Sequence, residues 1–291
     1  MEHEPNHSLP SVNALLPREM AEKAEQTGVE KSRQDFMCLL ALSVLAGAFI
    51  SFGAIAAAVI GAGAAGTLPY GVIQMLKGLV FSTGLILVVV GGAELFTGNN
   101  LMVMAWASGK IRIHELLRAW LTVYVGNFIG ASATALMVFL AGLHFQGNGA
   151  VGLSILISAN SKAALAFPQA LMLGVLANVL VCLAVWLCYS ARTTTDKILA
   201  IVPPVSLFVA ANFEHSVANM FILPFGLLIK DWAPQAYWVM IDQSPASYAA
   251  LNWGALLTNL LPVTIGNIIG GGVLVGVVYW FVYLRKRRQH N

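Results

Sequence analysis

The chain has 291 residues, 58% of them hydrophobic and 10% charged, with mean hydropathy +0.77 and net charge +3. A soluble domain carries about 25% charged residues, so this composition excludes an ordinary soluble fold and predicts an integral membrane protein. The basic residues flank hydrophobic segments instead of forming a stripe with interleaved aromatics, which excludes a nucleic-acid surface.

Residues 1–36 read as a polar tail in which Pro17 to Gly28 forms a short amphipathic helix, with Pro in its first turn and Gly after its last. Such a helix is expected along the membrane surface. No basic leader with a short apolar core and a small-residue cleavage site opens the chain, so the first apolar run is expected as a retained span. Six apolar runs follow, at about 38–60, 71–108, 115–142, 168–190, 197–229 and 256–284. Each exceeds the roughly 20 residues that a helix needs to cross hydrocarbon. They predict an all-α transmembrane domain over 37–284, ended by a basic tail over 285–291 that opens with Arg285-Lys286-Arg287-Arg288.

Arg18, Lys23, Lys31, Arg33, Lys110, Arg112, Arg118, Arg192, Lys197 and the terminal cluster fall on one side of these spans. Lys77, Lys162 and Lys230 lie on or towards the other, so the positive-inside rule places both termini in the cytoplasm. Cys38, Cys182 and Cys188 show neither CxxC spacing nor loop placement and read as packing residues, without disulfides or a metal cluster.

The second and fifth runs are interrupted. Thr97-Gly98-Asn99-Asn100 and Glu214-His215-Ser216 are poor midspan helix sequence, because their side chains offer the backbone other partners. Both spans are predicted to break there. Irregular backbone at that depth survives only inside protein or beside a wet cavity, and each restarted half-helix aims free N–H groups and partial positive charge inward. A simple kink, with Pro203-Pro204 bending the fifth span, is the plainer alternative.

Three spans per half would place a duplicated chain in inverted orientation. Gly126-Asn127-Phe128-Ile129-Gly130 echoes Gly266-Asn267-Ile268-Ile269-Gly270, and Ala93 to Asn99 sits where Ala211 to Ser216 sits. The expected fold is therefore six transmembrane helices in two inverted three-helix repeats, with spans two and five broken. His215 is the one histidine deep in an apolar run, and a charged group there costs roughly 2.5 kcal/mol or more unless it lines a cavity. Glu94 reads first as an acid that satisfies the nearby break, Glu214 either holds its turn or tunes His215, and Asn178 reads as a bond between helices or a contact to the broken segments. Lys162, in Ala159-Asn160-Ser161-Lys162, reads as solvated loop surface or as a lure for anions.

Several segments resemble the formate/nitrite transporter family over nearly the whole chain. They are KGLVFSTGLIL (77–87), AELFT (93–97), YVGN (124–127), GVLANVLVCLAVW (174–186), FVAANFEHSVANM (208–220) and PVTIGNIIGGG (262–272). The resemblance implies an aquaporin-like six-helix protomer in a homopentamer of the bacterial cytoplasmic membrane, with one pore per subunit and no cofactor. It implies that His215 is the central pore histidine, faced by Thr97, with Asn178 bonding inside the same chamber. Phe81 and Phe208 then match the outer constriction and Leu85 and Leu95 the apolar lining, while Glu214, Asn219 and Lys162 hold matching positions. Gly98-Asn99-Asn100 departs from the family pattern, and Glu94 replaces a shorter acid.

A small monovalent anion such as formate is the implied substrate, with nitrite, hydrosulfide, acetate or lactate as alternatives. Moving a bare carboxylate into dry protein costs about 20 kcal/mol before relaxation. Neutralising an acid of pKa near 4 at pH 7 costs only about 4 kcal/mol. Passage as the neutral acid, after proton exchange at or near His215, is therefore expected, with a gating role open for the tail helix. The competing class, a redox-enzyme membrane subunit binding haem or quinone, lacks the paired deep histidines that haem needs. HExxH occurs once, at His3-Glu4-Pro5-Asn6-His7 in the polar tail with a proline inside it, and GxSxG does not occur, which speaks against a membrane protease.

Overall fold

A computed structural model describes residues 13–64 and 66–285, and every regular element among them is helical. Lys286, Arg287 and Arg288 of the basic tail lie outside the described residues. Helix α1 (Pro17–Ser32) opens with Glu19 accepting the Leu16 amide at 2.7 Å. It runs on past the predicted stop at Gly28, because that glycine makes a contact and does not end the helix. A Cβ there would lie 3.0 Å from Ala105 Cβ and 3.3 Å from Met102 Cα.

Helix α2 (Phe36–Gly61) starts at Asp35, whose carboxylate accepts the Met37 and Cys38 amides at 2.9 and 3.1 Å. Those bonds, Cys38's foremost, hold the Asp35 carboxyl below the usual carboxylate range. Next come α3 (Tyr70–Gly91), the short α4 (Phe96–Asn99), a 3₁₀ turn over Asn100–Met102, and α5 (Val103–Ala107). Helices α6 (Ile113–Leu140), α7 (Ala150–Ala163) and α8 (Phe167–Ser190) lead to α9 (Thr194–Ala210) and α10 (Ser216–Trp232). After α11 (Gln235–Met240), α12 (Trp253–Asn267) continues with π winding over Ile268–Val277 and Trp280–Leu284.

Among the described residues, α2, α3, α6, α8 and the stretch Pro245–Leu284 are long and apolar enough to cross a membrane. Leu121, Leu140 and Leu257 are 66%, 73% and 72% exposed, so these helices present apolar side chains outward, as lipid or subunit contact requires. Helix α10 is the opposite case: Ser216 to Ile229 are buried except Ile222.

Small residues let the long helices approach to backbone distance. A Cβ on Gly126 would meet Ser43 Cβ at 2.4 Å, and one on Gly130 would meet Val44 O at 1.9 Å, which seats α6 on α2. On α12 and its continuation, Cβ atoms on Gly266 and Gly270 would meet Leu171 O and Val175 O at 2.2 and 2.1 Å, which seats that helix on α8. The two GN-x-I-G echoes thus occupy equivalent seams.

Candidate functional site

Non-helical residues separate α3 from α4 and α9 from α10, and these two breaks are built from matching parts. The first falls earlier than predicted: α3 ends at Gly91, residues 92–95 are non-helical, and Thr97 to Asn99 lie inside α4. Gly92 takes the left-handed conformation (φ 78°), and the Ala93 amide reaches back to Val88 O at 2.9 Å, the closure that commonly ends a helix. At the second break Asn212 takes the same conformation (φ 53°), and the Phe213 amide reaches Phe208 O at 3.0 Å.

The matching continues through each break. The Glu94 amide donates to Leu42 O and the Glu214 amide to Leu173 O, both at 3.2 Å. Asn127 accepts the Phe96 amide at 2.9 Å and donates to Ser43 O and Glu94 O at 2.7 and 2.9 Å. Asn267 accepts the Ser216 amide at 2.9 Å and donates to Gly174 O and Glu214 O at 2.8 and 3.0 Å. Buried backbone polar groups demand partners, and here one asparagine per break supplies three of them. The register that follows aligns Glu94 with Glu214, so Leu95 faces the comparison with His215.

His215 is 2% exposed and caps α10, its Nδ1 accepting the Ala218 amide at 3.2 Å. An acceptor Nδ1 fixes the neutral tautomer with the proton on Nε2. That Nε2 lies 2.9 Å from Thr97 Oγ1, so it donates to the hydroxyl and leaves the Thr97 hydroxyl proton free to donate onward. A proton added at Nδ1 would face the Ala218 amide, so charging His215 requires loss of the cap. Asn178 Nδ2 spans Thr97 O, Asn100 Oδ1 and Asn267 O at 3.3, 2.9 and 2.7 Å, tying the two breaks together. It reaches that far because Gly271, whose Cβ would lie 2.3 Å from Asn178 Nδ2, leaves the space open. Cys182, expected as packing, also donates its thiol to Thr97 O at 3.2 Å.

The acids are paired. Glu214 receives Lys162 Nζ at 2.6 Å and Asn219 Nδ2 at 2.7 Å. Lys162 is not on a loop: it belongs to α7, and its side chain is only 16% exposed. Glu94 Oε2 receives Lys31 Nζ at 2.7 Å and Asn99 Nδ2 at 2.8 Å, so its role at the break is accompanied by an ion pair from α1.

Three cavities flank this centre. One of about 940 Å³ opens opposite α1 and reaches Lys77, Lys162, Asn212 and Glu214. A smaller one of about 110 Å³ shares Lys77 and Lys162 with it and reaches Phe81, Phe208 and His215. Phe81 and Phe208 meet edge to face at 5.6 Å, and Phe208 lies 5.9 Å from the His215 ring. On the other side, about 250 Å³ is lined by Leu85, Leu95, Gly98, Glu94 and Asn99, and is walled by Ala24, Gly28 and Lys31 of α1. Leu85 and Leu95 are 2% and 3% exposed, an apolar stretch between that cavity and the polar centre.

The structure therefore gathers His215, Thr97 and Asn178 at the centre, with Glu214, Asn219, Lys162, Phe81 and Phe208 on one side and Leu85 and Leu95 on the other. The roles of Asn127, Asn267, Asn99 and Lys31 escaped the sequence reading. The first two were visible only as an echo, and Asn99 as the Glu-x₄-Asn spacing that Glu94–Asn99 shares with Glu214–Asn219.

A family profile described as formate/nitrite transporter matches residues 18–281. The formate channel FocA of Escherichia coli (strain K12) is 45% identical over 277 residues, covering 95% of this chain and 97% of that protein. The formate channel FocA of Haemophilus influenzae is 38% identical, covering 94% and 95%. Among solved structures, a pentameric formate channel with formate bound superposes with TM-score 0.82 at 43% identity, covering 86% of this chain and 98% of that one. An ion channel of the same family superposes with TM-score 0.76 at 26% identity, covering 91% and 98%. With its two matched breaks, its capped central histidine and these relatives, the chain belongs to the formate/nitrite transporter family.

Proposed function

We propose that the protein is a formate channel of the bacterial cytoplasmic membrane, a homopentamer with one conduit per subunit and both termini in the cytoplasm. The observation that carries this reading is the His215–Thr97 bond of 2.9 Å, placed between cavities that approach it from opposite mouths. The identity with named formate channels and the likeness to a formate-bound pentamer supply the substrate and the assembly. The distribution of lysine and arginine supplies the orientation. In this reading α2, α3 to α5 and α6 form one half, and α8, α9 with α10, and α12 form its inverted counterpart. The matched hydrogen bonds of Asn127 and Asn267 support that arrangement.

Formate enters the mouth opposite α1 and loses water as it nears the Phe81–Phe208 pair. There the free Thr97 hydroxyl proton, oriented by His215, meets a carboxylate oxygen. The anion exchanges a proton at or next to this pair and crosses the apolar stretches as formic acid, since bare passage costs about 20 kcal/mol before relaxation. The matched family and the named relatives are channels and transporters, which supports a channel and not an enzyme. His215→Asn keeps a side-chain acceptor for the start of α10 but cannot titrate. It should leave formate flux in proteoliposomes with an altered pH profile, and a profile matching wild type would refute the role of His215. Relative fluxes of formate and nitrite in the same vesicles test the substrate.

A further inference from the structure

We infer that Lys77, with Ser154 and Ser158, forms an oxyanion-binding site in the mouth opposite α1, ahead of Lys162 and separate from it. This rests on the channel reading above and names the place where a small carboxylate such as formate first docks. Lys77 belongs to α3, and its neighbour Gly78 seats that helix on α9, since a Cβ there would meet Ser206 O at 2.5 Å. The Lys77 side chain crosses the end of α2 at Gly61. A Cβ on Gly61 would lie 2.8 Å from Lys77 Nζ, closer still to its Cε, and 3.1 Å from Ser154 Oγ. The bare glycine therefore lets the ammonium and the hydroxyl converge over the last turn of α2.

Charge balance decides which group is available to an incoming anion. Lys77, Lys162 and Glu214 all line the cavity of about 940 Å³. The Lys162 ammonium is taken by Glu214 at 2.6 Å, whereas Lys77 has neither a hydrogen-bond nor an ion-pair partner among the described residues. The uncompensated positive charge of this mouth thus sits at Lys77. Ser154, Ser158 and Lys162 recur every four residues along α7 and share the cavity wall, so they form one polar face. At a rise of about 1.5 Å per residue, the Ser154 end of that face lies about 12 Å from Lys162. Helix serines commonly bond the carbonyl four residues back, yet the Ser154 and Ser158 hydroxyls have no partner among the described residues. One ammonium and two free hydroxyl donors, with no resident carboxylate among them, suit a small monovalent oxyanion. The smaller cavity keeps these three groups in its wall and continues to Phe81, Phe208 and His215, so the site lies on the approach to the centre.

The competing role for Lys77 is structural, because an ammonium beside the last turn of α2 offsets the partial negative charge of that helix end. Radiolabelled formate in right-side-out and inside-out membrane vesicles separates the two. Lys77→Met removes the charge and keeps a long side chain. For loading from the mouth opposite α1, K77M should raise the half-saturating formate concentration about fivefold, short of the full effect of a buried charge-assisted bond because water and salt reach the site. Loading from the α1 side should stay within about twofold of wild type, which also reports that the variant is folded, and Lys77→Arg should recover the wild-type value. Gly61→Ala keeps the charge but puts a methyl group where the lysine passes. It should raise the same constant on the same side alone, and it carries the test should K77M not assemble. An unchanged constant overturns the site, and a lower unfolding midpoint alongside it would assign Lys77 to the end of α2. An equal rise from both sides also overturns it, since the effect then lies in the shared conduit. Wild-type vesicles with no saturable formate flux would instead overturn the channel reading on which it stands.

Discussion

Asn127 and Asn267 each satisfy one amide and one carbonyl that a helix break leaves without helical partners, and each also donates to a carbonyl inside a long helix, Ser43 O of α2 or Gly174 O of α8. An unpartnered buried group costs about 1–3 kcal/mol, and Asn267→Leu, similar in volume, orphans two of them, so it should destabilise the fold by at least about 2 kcal/mol. Thermal unfolding of the detergent-purified protein measures this, and a midpoint equal to wild type would contradict it. His144 gives a second residue-scale prediction. It stacks on Phe139 at 4.9 Å, is 3% exposed, and has no partner for either ring nitrogen among the described residues. Burial holds its pKa below the ordinary value of 6.5. The unfolded chain therefore binds more protons than the folded one below that value, and stability falls as the pH drops through it. His144→Phe should flatten the decline in unfolding midpoint between pH 7 and about pH 5; a decline identical to wild type would place its cause elsewhere. At this scale the sequence revealed which residues were out of place in an apolar run, His215 above all. It could not reveal bonding partners, because an asparagine in a membrane helix has the same composition signal whether it bridges two helices or anchors a break.

Element boundaries follow from local chemistry that the sequence carries only in part. The second break was legible at Glu214-His215-Ser216, where His215 indeed caps α10. The first break was read too late because Thr97-Gly98-Asn99-Asn100 looks like turn sequence, yet Gly92 is the residue that takes the left-handed conformation. Its closing bond to Val88 and the anchoring by Asn127 are long-range facts about which local propensity says nothing. Gly28 misled in the same way: glycine marks helix ends and close contacts alike, and only the nearness of Met102 and Ala105 tells which. Lys162 looked like loop surface because α7 has no counterpart in a count of membrane-length runs. The seams between long helices make a further prediction. A Cβ on Gly130 would lie 1.9 Å from Val44 O, so Gly130→Leu must drive α6 off α2. The expected result is loss of the monodisperse assembly in size-exclusion chromatography, whereas Ser132→Ala, two residues along the same helix and only partly buried, should leave it intact.

The six apolar runs, the two interruptions and the GN-x-I-G echo made the all-helical membrane architecture readable before any coordinates, because hydrocarbon leaves a chain few alternatives. What stayed hidden was how the halves meet: Asn178 joining both breaks, and α1 folding back over one mouth to reach Glu94. The apolar faces of α2, α6 and α12 remain exposed in a single chain, with Leu121 and Leu257 at 66% and 72%, which suits burial against lipid and neighbouring subunits. Across the molecule the recurring design is a polar station, an apolar stretch and a neutral hydrogen-bonding centre, an arrangement that admits anions to its ends while opposing their charge in its middle. The decisive measurement is simultaneous formate uptake and internal pH in proteoliposomes held at a series of membrane potentials. Passage as formic acid predicts one proton delivered per formate and a rate that does not change with potential. A potential-driven formate current without internal acidification would contradict it.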